Sequence, residues 1–209
     1  MGHNFPDIGM MEKIWGFMLR PHLHITHKGD RKVEEVAIHY HEETELSSAY
    51  TTCSGTLSTL SSGRSRYVRA WVYNMWGPKA HRCRVVLERI WLNERLIDDE
   101  RTPLHWTDLK DVYELPEMSS GFRNGHWIDV CASDSVKSRL QVISQRHLLR
   151  GYHSFSEHGL YRFQLVAECS NWHWKGTAFI TVRYDGHWDN LRVVAINEKN
   201  PVFFGLCRR

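Results

Sequence analysis

Five cysteines are scattered through 209 residues and no C-x-x-C occurs among them. That spacing argues against a zinc ribbon and against the disulfide framework of a small secreted domain. Cys53, Cys83, Cys131, Cys169 and Cys207 read instead as reduced thiols, several of them buried, and the expected location is cytoplasmic. Blocks of like charge are missing as well. With a formal charge of +3, neither a nucleic-acid arm nor a polybasic membrane patch is called for. No long apolar run is present, since the longest early one, Ile14 to Leu19, falls far short of the roughly 20 residues a spanning helix needs.

Catalytic signatures are equally scarce. There is no Gly-x-Ser-x-Gly elbow, no phosphate-binding glycine loop and no His-Glu-x-x-His. A non-enzymatic role therefore stands ahead of an enzymatic one. Apolar residues at 42% and charged residues at 24% exclude a disordered chain, and the length suits a single domain with a buried core. What the chain does hold in excess is histidine, 14 residues, and tryptophan, 9 residues.

Two periodicities divide the sequence. Residues 7 to 19 carry Met11, Ile14, Trp15, Met18 and Leu19 at helical spacing, with Asp7 placed to cap the start. This predicts an amphipathic N-terminal helix over residues 1–19 that packs on its own domain or meets a partner or a membrane surface through Trp15. From residue 20 to residue 209 the apolar period falls to two, the mark of strands with one buried face. Leu23 and Ile25 oppose His22 and His24; Val36, Ile38 and Tyr40 oppose His39 and His41. On this reading the early histidines face solvent.

Further strands follow. In "HRCRVVLERIWLN" the inward set Cys83, Val85 and Leu87 gives way to Ile90 and Leu92, a change of phase that predicts a bulge near Arg89. "LYRFQLVAEC" alternates cleanly, and Asp185-Gly186 after "TAFITVRY" predicts a type I′ hairpin. Ser/Thr-rich residues 47–65 read as a long mobile loop or a weak hairpin. Seven to nine short strands without crossover helices predict an all-β, antiparallel sandwich.

Within residues 66–194, "YVRAWVYNMWGPKAHRCRVVLERI", "PLHWTD", "LPEMSSGFRNGHWIDV" and "GLYRFQLVAECSNWHWKGTAFITVRYDGHWDNLRV" resemble uncharacterised bacterial and archaeal immunoglobulin-like β-sandwich proteins, many of them tethered by an N-terminal membrane segment. The resemblance implies an immunoglobulin-like fold and no particular activity. The family's spanning segment has no counterpart here. A cross-sheet cysteine pair between Cys83 and Cys169 is not assumed.

Three groups of residues are candidates for function. Trp172 and Trp174 in "NWHWKG" are placed to anchor a protein partner, or to stack on a sugar. Exposed sheet edges offer strand pairing, to a partner or in self-association. His39, His41 and Glu45 fit the His-x-His-x-x-x-Glu spacing with which cupin barrels hold a divalent transition metal, which would make the chain a metal-dependent enzyme or sensor. The leading expectation is a recognition module that binds a protein or another macromolecule, with no cofactor.

Overall fold

β-Branched and aromatic residues alternating with polar ones dominate the chain from residue 20 onward, and such segments bury one face each when they pair. The computed structural model describes residues 20–26, 33–46, 55–107, 109, 112–135, 138–143 and 154–199. These form thirteen strands: β1 Leu23–Thr26, β2 Val33–Leu46, β3 Gly55–Asn74, β4 Ala80–Leu92, β5 Arg95–Asp98, β6 Thr102–Pro103, β7 Leu115–Met118, β8 His126–Asp134, β9 Leu140–Val142, β10 Ser154–Phe155, β11 Gly159–Cys169, β12 Trp172–Tyr184 and β13 Arg192–Lys199. Every strand pairing is antiparallel. The all-β expectation is met, although the strands are more numerous than expected and β3, at 20 residues, is far from short. Residues 1–19, with Trp15 and the expected helix, lie outside the described residues. Among the described residues no helix is long and apolar enough to cross a membrane.

Two sheets enclose one core. In the first, the order is β1-β3-β8-β9-β10, with β2 continuing beside β3 beyond β1; in the second it is β13-β12-β11-β4-β5, with β6 and β7 also on β4. Inward residues of both sheets form a single apolar cluster, in which Trp106, Tyr161, Phe163, Leu87 and Ile128 are fully buried. Where β1 crosses β12 the sheets come very close. A Cβ on Gly176 would lie 2.2 Å from the Leu23 carbonyl oxygen, so only glycine admits that approach.

The predicted bulge is present. Gln164 pairs with Arg89 and Leu165 with Leu87, leaving Glu88 as the extra residue that carries the inward set from Leu87 to Ile90. The type I′ hairpin is not. Gly186 has φ +93°, but Asp185 is not in the left-handed region that such a turn requires at both positions. The connection runs instead through a 3₁₀ turn at Trp188–Asn190. The Asp185 carboxylate shapes it by accepting from the His187 N–H at 3.1 Å and from Asn190 Nδ2 at 3.0 Å.

The Ser/Thr-rich segment also differs from a loop. Gly55–Ser65 is strand, the first half of β3, paired without a break to β2 from Val33↔Val68 to Leu46↔Gly55. Residues 47–54 lie outside the described residues. β8 meets β3 only from Ser65 onward, so beyond that point β2 and β3 run on as a two-stranded ribbon.

His22 and His24 correct the expectation of solvent-facing histidines. They do point away from Leu23 and Ile25, yet they are 7% and 8% exposed. Aromatic side chains of β3 and the following turn cover them. His24 stacks on Tyr73, its cross-strand partner, at 5.6 Å, and His22 lies 5.2 Å from the Trp76 ring. Burial, and then the charge of His22, lower the His24 pKa below the ordinary histidine value, so the neutral ring is favoured there.

Candidate binding cleft

The turn after β3 helps to place a charged cleft at the ends of β4, β11 and β12. Asn74, fully buried, accepts from the His22 N–H through Oδ1 at 2.9 Å and donates through Nδ2 to the Pro78 carbonyl at 2.8 Å. Gly77, at φ +90°, packs against the backbone of Arg20, whose carbonyl oxygen would lie 2.0 Å from a Cβ at that position. Chain entry and turn are thereby locked together. The Arg20 guanidinium lies over the Trp172 ring, 4.0 Å from its centroid, at a distance suited to cation–π attraction.

Trp172 begins β12 immediately after the two-residue link Ser170-Asn171 that closes the β11–β12 hairpin, where Cys169 pairs with Trp172. The link is tied to the start of β4. The Ser170 N–H donates to the His81 carbonyl at 2.8 Å, and the His81 N–H donates to Asn171 Oδ1 at 2.9 Å. Asn171 Nδ2 donates in turn to the Lys79 carbonyl at 2.9 Å. Three strand ends, of β4, β11 and β12, are thus held as one wall.

Between them opens a cleft of about 350 Å³, whose lining includes Arg82, Arg84, Glu114, Glu168, Trp172 and Lys175. Glu168 is its centre. This carboxylate is 12% exposed and receives three cations: Arg84 through Nε, Arg101 through an Nη at 3.1 Å and Lys175 through Nζ at 3.3 Å. Burial alone would raise its pKa, but the hydrogen bonds and charges of Arg84 and Lys175 prevail and hold it below the usual carboxylate value. Arg101 also reaches Glu88, the bulge residue of β4, at 3.2 Å.

Arg82 adds a further cation on the rim, paired with Glu114 at 2.9 Å. Its backbone is strained, with φ +50°, in the left-handed region that arginine rarely enters. Pro116 stands in β7 between Glu117 and Leu115, the partners of His81 and Cys83, and has no N–H to give to β4 at that point. In all, Arg20, Arg82, Arg84, Arg101 and Lys175 meet Glu88, Glu114 and Glu168. Cations are in surplus.

Cys169, which lines the floor of the cleft, and Cys83 belong to the core cluster and are free thiols. They occupy neighbouring strands of one sheet, one step past the pair Glu168↔Arg84, and so do not form a cross-sheet pair. Burial pushes the Cys83 thiol up to about 12 and Cys169 up to about 11. Burial thus disfavours the thiolate, the nucleophilic form, at both.

A second ion pair lies on the other sheet. Asp129 of β8 stands opposite Arg69 of β3 and accepts from its Nε at 2.8 Å and from Thr107 Oγ1 at 2.9 Å, with His105 Nδ1 at 3.6 Å. Burial opposes ionisation, and His105, Arg69 and Thr107 overcome it, so the carboxyl stays below its ordinary value.

Of the residues singled out in the sequence, Trp172 alone is placed in the cleft. It is half-buried, with its body packed against the core and Arg20 on its ring, so it serves as a wall. The side chains of Trp174, His39, His41 and Glu45 lie outside the described residues. The backbone still bears on the last three. His39, His41 and Glu45 share one face of β2, paired with Ser62, Leu60 and Thr56, and at about 3.3 Å per residue His39 and Glu45 are about 20 Å apart along the strand. Among the described residues no cluster of three or more His, Cys, Asp or Glu could hold a metal ion.

The cations of the cleft come from four separate stretches of chain, and only "HRCR" and "NWHWKG" hint at them locally. No family model matches the chain, and no similar protein was found among curated proteins or solved structures.

Proposed function

We infer that this chain is a non-enzymatic recognition module, built as an immunoglobulin-like β-sandwich, that takes an acidic segment of a protein partner into the cleft between β4, β11 and β12. The sandwich reading is supported by two antiparallel sheets around one core. The binding reading rests on a single observation: Arg82, Arg84 and Lys175 line the cleft with two carboxylates, Glu114 and Glu168, and Arg101 and Arg20 lie close by, on a wall tied together by hydrogen bonds between the strand ends. A pre-set cationic cleft attracts carboxylates at distance and selects against basic partners. Buried free thiols at Cys83, Cys131 and Cys169 suit a reducing, cytoplasmic setting.

Sugar stacking on Trp172 is less well supported, because the ring carries Arg20 and packs on the core. Strand addition at β13 is likewise disfavoured. Thr181 pairs with Ala195 and Val182 with Val193, so Val194 is a bulge residue that interrupts this edge. A metal-dependent role through His39, His41 and Glu45 would need further donors from outside β2.

The test uses an oligoglutamate peptide as probe, with binding followed by fluorescence anisotropy at low salt. The double variant Arg84→Ala/Lys175→Ala is expected to bind about tenfold more weakly than the wild type, a loss of about 1.4 kcal/mol, while oligolysine binds neither. Equal affinity of both proteins for oligoglutamate would refute the reading.

A further inference from the structure

The charge of the cleft has its opposite at the far end of the molecule. In the ribbon, Val36–Leu46 of β2 and Gly55–Gly63 of β3 contain Glu42, Glu43 and Glu45 and not one lysine or arginine. Upstream, Glu34 and Glu35 of β2 meet Arg64 and Arg66 of β3, Glu35 directly opposite Arg66, so the unbalanced acid is confined to the outer part of the ribbon. The register stays unbroken to the last pair, Leu46↔Gly55, and no third strand joins this part of β3 among the described residues. An isolated pair of strands is marginal in water and gains by resting on another surface.

The chain cannot bring this ribbon to its own cleft. β3 ends at Asn74, in the turn that holds Arg20 over Trp172 at the cleft. The ribbon tip lies at Gly55, the other end of the same 20-residue strand. Extended backbone places these ends about 60 Å apart. Opposite charges held this far apart along one strand meet between molecules.

We propose that the acidic β2–β3 ribbon of one copy docks in the cationic cleft of a second copy, so that the chain assembles head to tail. The proposal rests on the cleft reading above and names its partner. The carboxylates of Glu42, Glu43 and Glu45 supply what the cleft's surplus cations lack, in competition with Glu168 for Arg84, Arg101 and Lys175. Because the two surfaces differ, the contact is heterologous, and repetition of it gives a ring or an open filament.

Sedimentation velocity of the full chain tests this. At low salt the wild type is expected to show a sedimentation coefficient that rises with concentration. At about 0.5 M salt, where the screening length falls to a few ångströms, it collapses to that of a monomer. Two variants are made: an arm variant, Glu42→Lys/Glu43→Lys/Glu45→Lys, and a cleft variant, Arg82→Glu/Lys175→Glu. Each is monomeric alone, and a mixture of the two assembles again, which a misfolded variant would not do. A wild type that stays monomeric at low salt while its cleft binds oligoglutamate overturns the docking and leaves the cleft reading standing. An arm variant that assembles as the wild type does overturns the docking too.

Discussion

The molecule holds two carboxylates that are both mostly buried and both drawn to cations, and they behave differently because of what surrounds them. Asp129, 8% exposed, meets one guanidinium that is itself only 17% exposed, and Thr107 and His105 complete its shell. Glu168, 12% exposed, meets three cations that are each nearly half exposed. The first cluster is closed and balanced. The second is open, with charge to spare. A closed pair costs desolvation and contributes register, holding β3 against β8, whereas an open one keeps donors available to a ligand.

The largest break should come at the closed pair. Asp129→Ala removes the carboxylate that Arg69 faces across β3 and β8, and the expected loss is about 3–5 kcal/mol by urea unfolding. A loss under about 1 kcal/mol would mean that Arg69 finds water easily and that the two clusters do not differ in kind.

Acid should reproduce part of that loss. The carboxyls of Asp129 and Glu168 sit below their ordinary pKa in the folded chain, so their stabilisation is present above the unfolded carboxylate range, about pH 4, and is lost as pH falls through the depressed folded values. Asp129→Asn should flatten the acid limb of stability against pH, which unfolding midpoints along a pH series would check. An unchanged slope would show that the Asp129 charge is not coupled to folding.

Glu168→Gln separates fold from ligand at the open cluster. Its cations can turn to solvent, so the stability loss is expected to be about 1–2 kcal/mol, discounted for their exposure. Oligoglutamate affinity should rise, because an internal competitor for the cations is gone. Weaker binding would make Glu168 an organiser that the ligand requires. Lys175→Ala is the mildest change, within about 0.5 kcal/mol in stability, yet it should weaken the peptide measurably.

Much of the fold could be read from alternation alone. Tyr161, Phe163 and Leu165 are inward and fully buried as their spacing requires, and the slip in "RVVLERI" marks the bulge at Glu88. His22 and His24 were misread because the rings that cover them, Tyr73 and Trp76, lie some 50 residues along the chain, beyond any local pattern. Asp185-Gly186 suggested a tight hairpin because its composition fits one, but the carboxylate spends both oxygens on His187 and Asn190 and shapes a wider turn. The cleft was visible only at Trp172. Its charge depends on Arg20, Arg101 and Glu168 meeting in space, and no sequence window contains them together.

An open cluster that binds and a closed one that only ties strands together respond differently to an acidic ligand. Amide chemical-shift mapping of the isotope-labelled chain, titrated with oligoglutamate, decides between them in one experiment. The predicted result is saturable, salt-sensitive shifts at Arg82, Arg84, Glu168 and Lys175 with Arg69 and Asp129 unmoved. Shifts spread evenly over exposed lysines and arginines, or centred on Arg69 and Asp129, would contradict it.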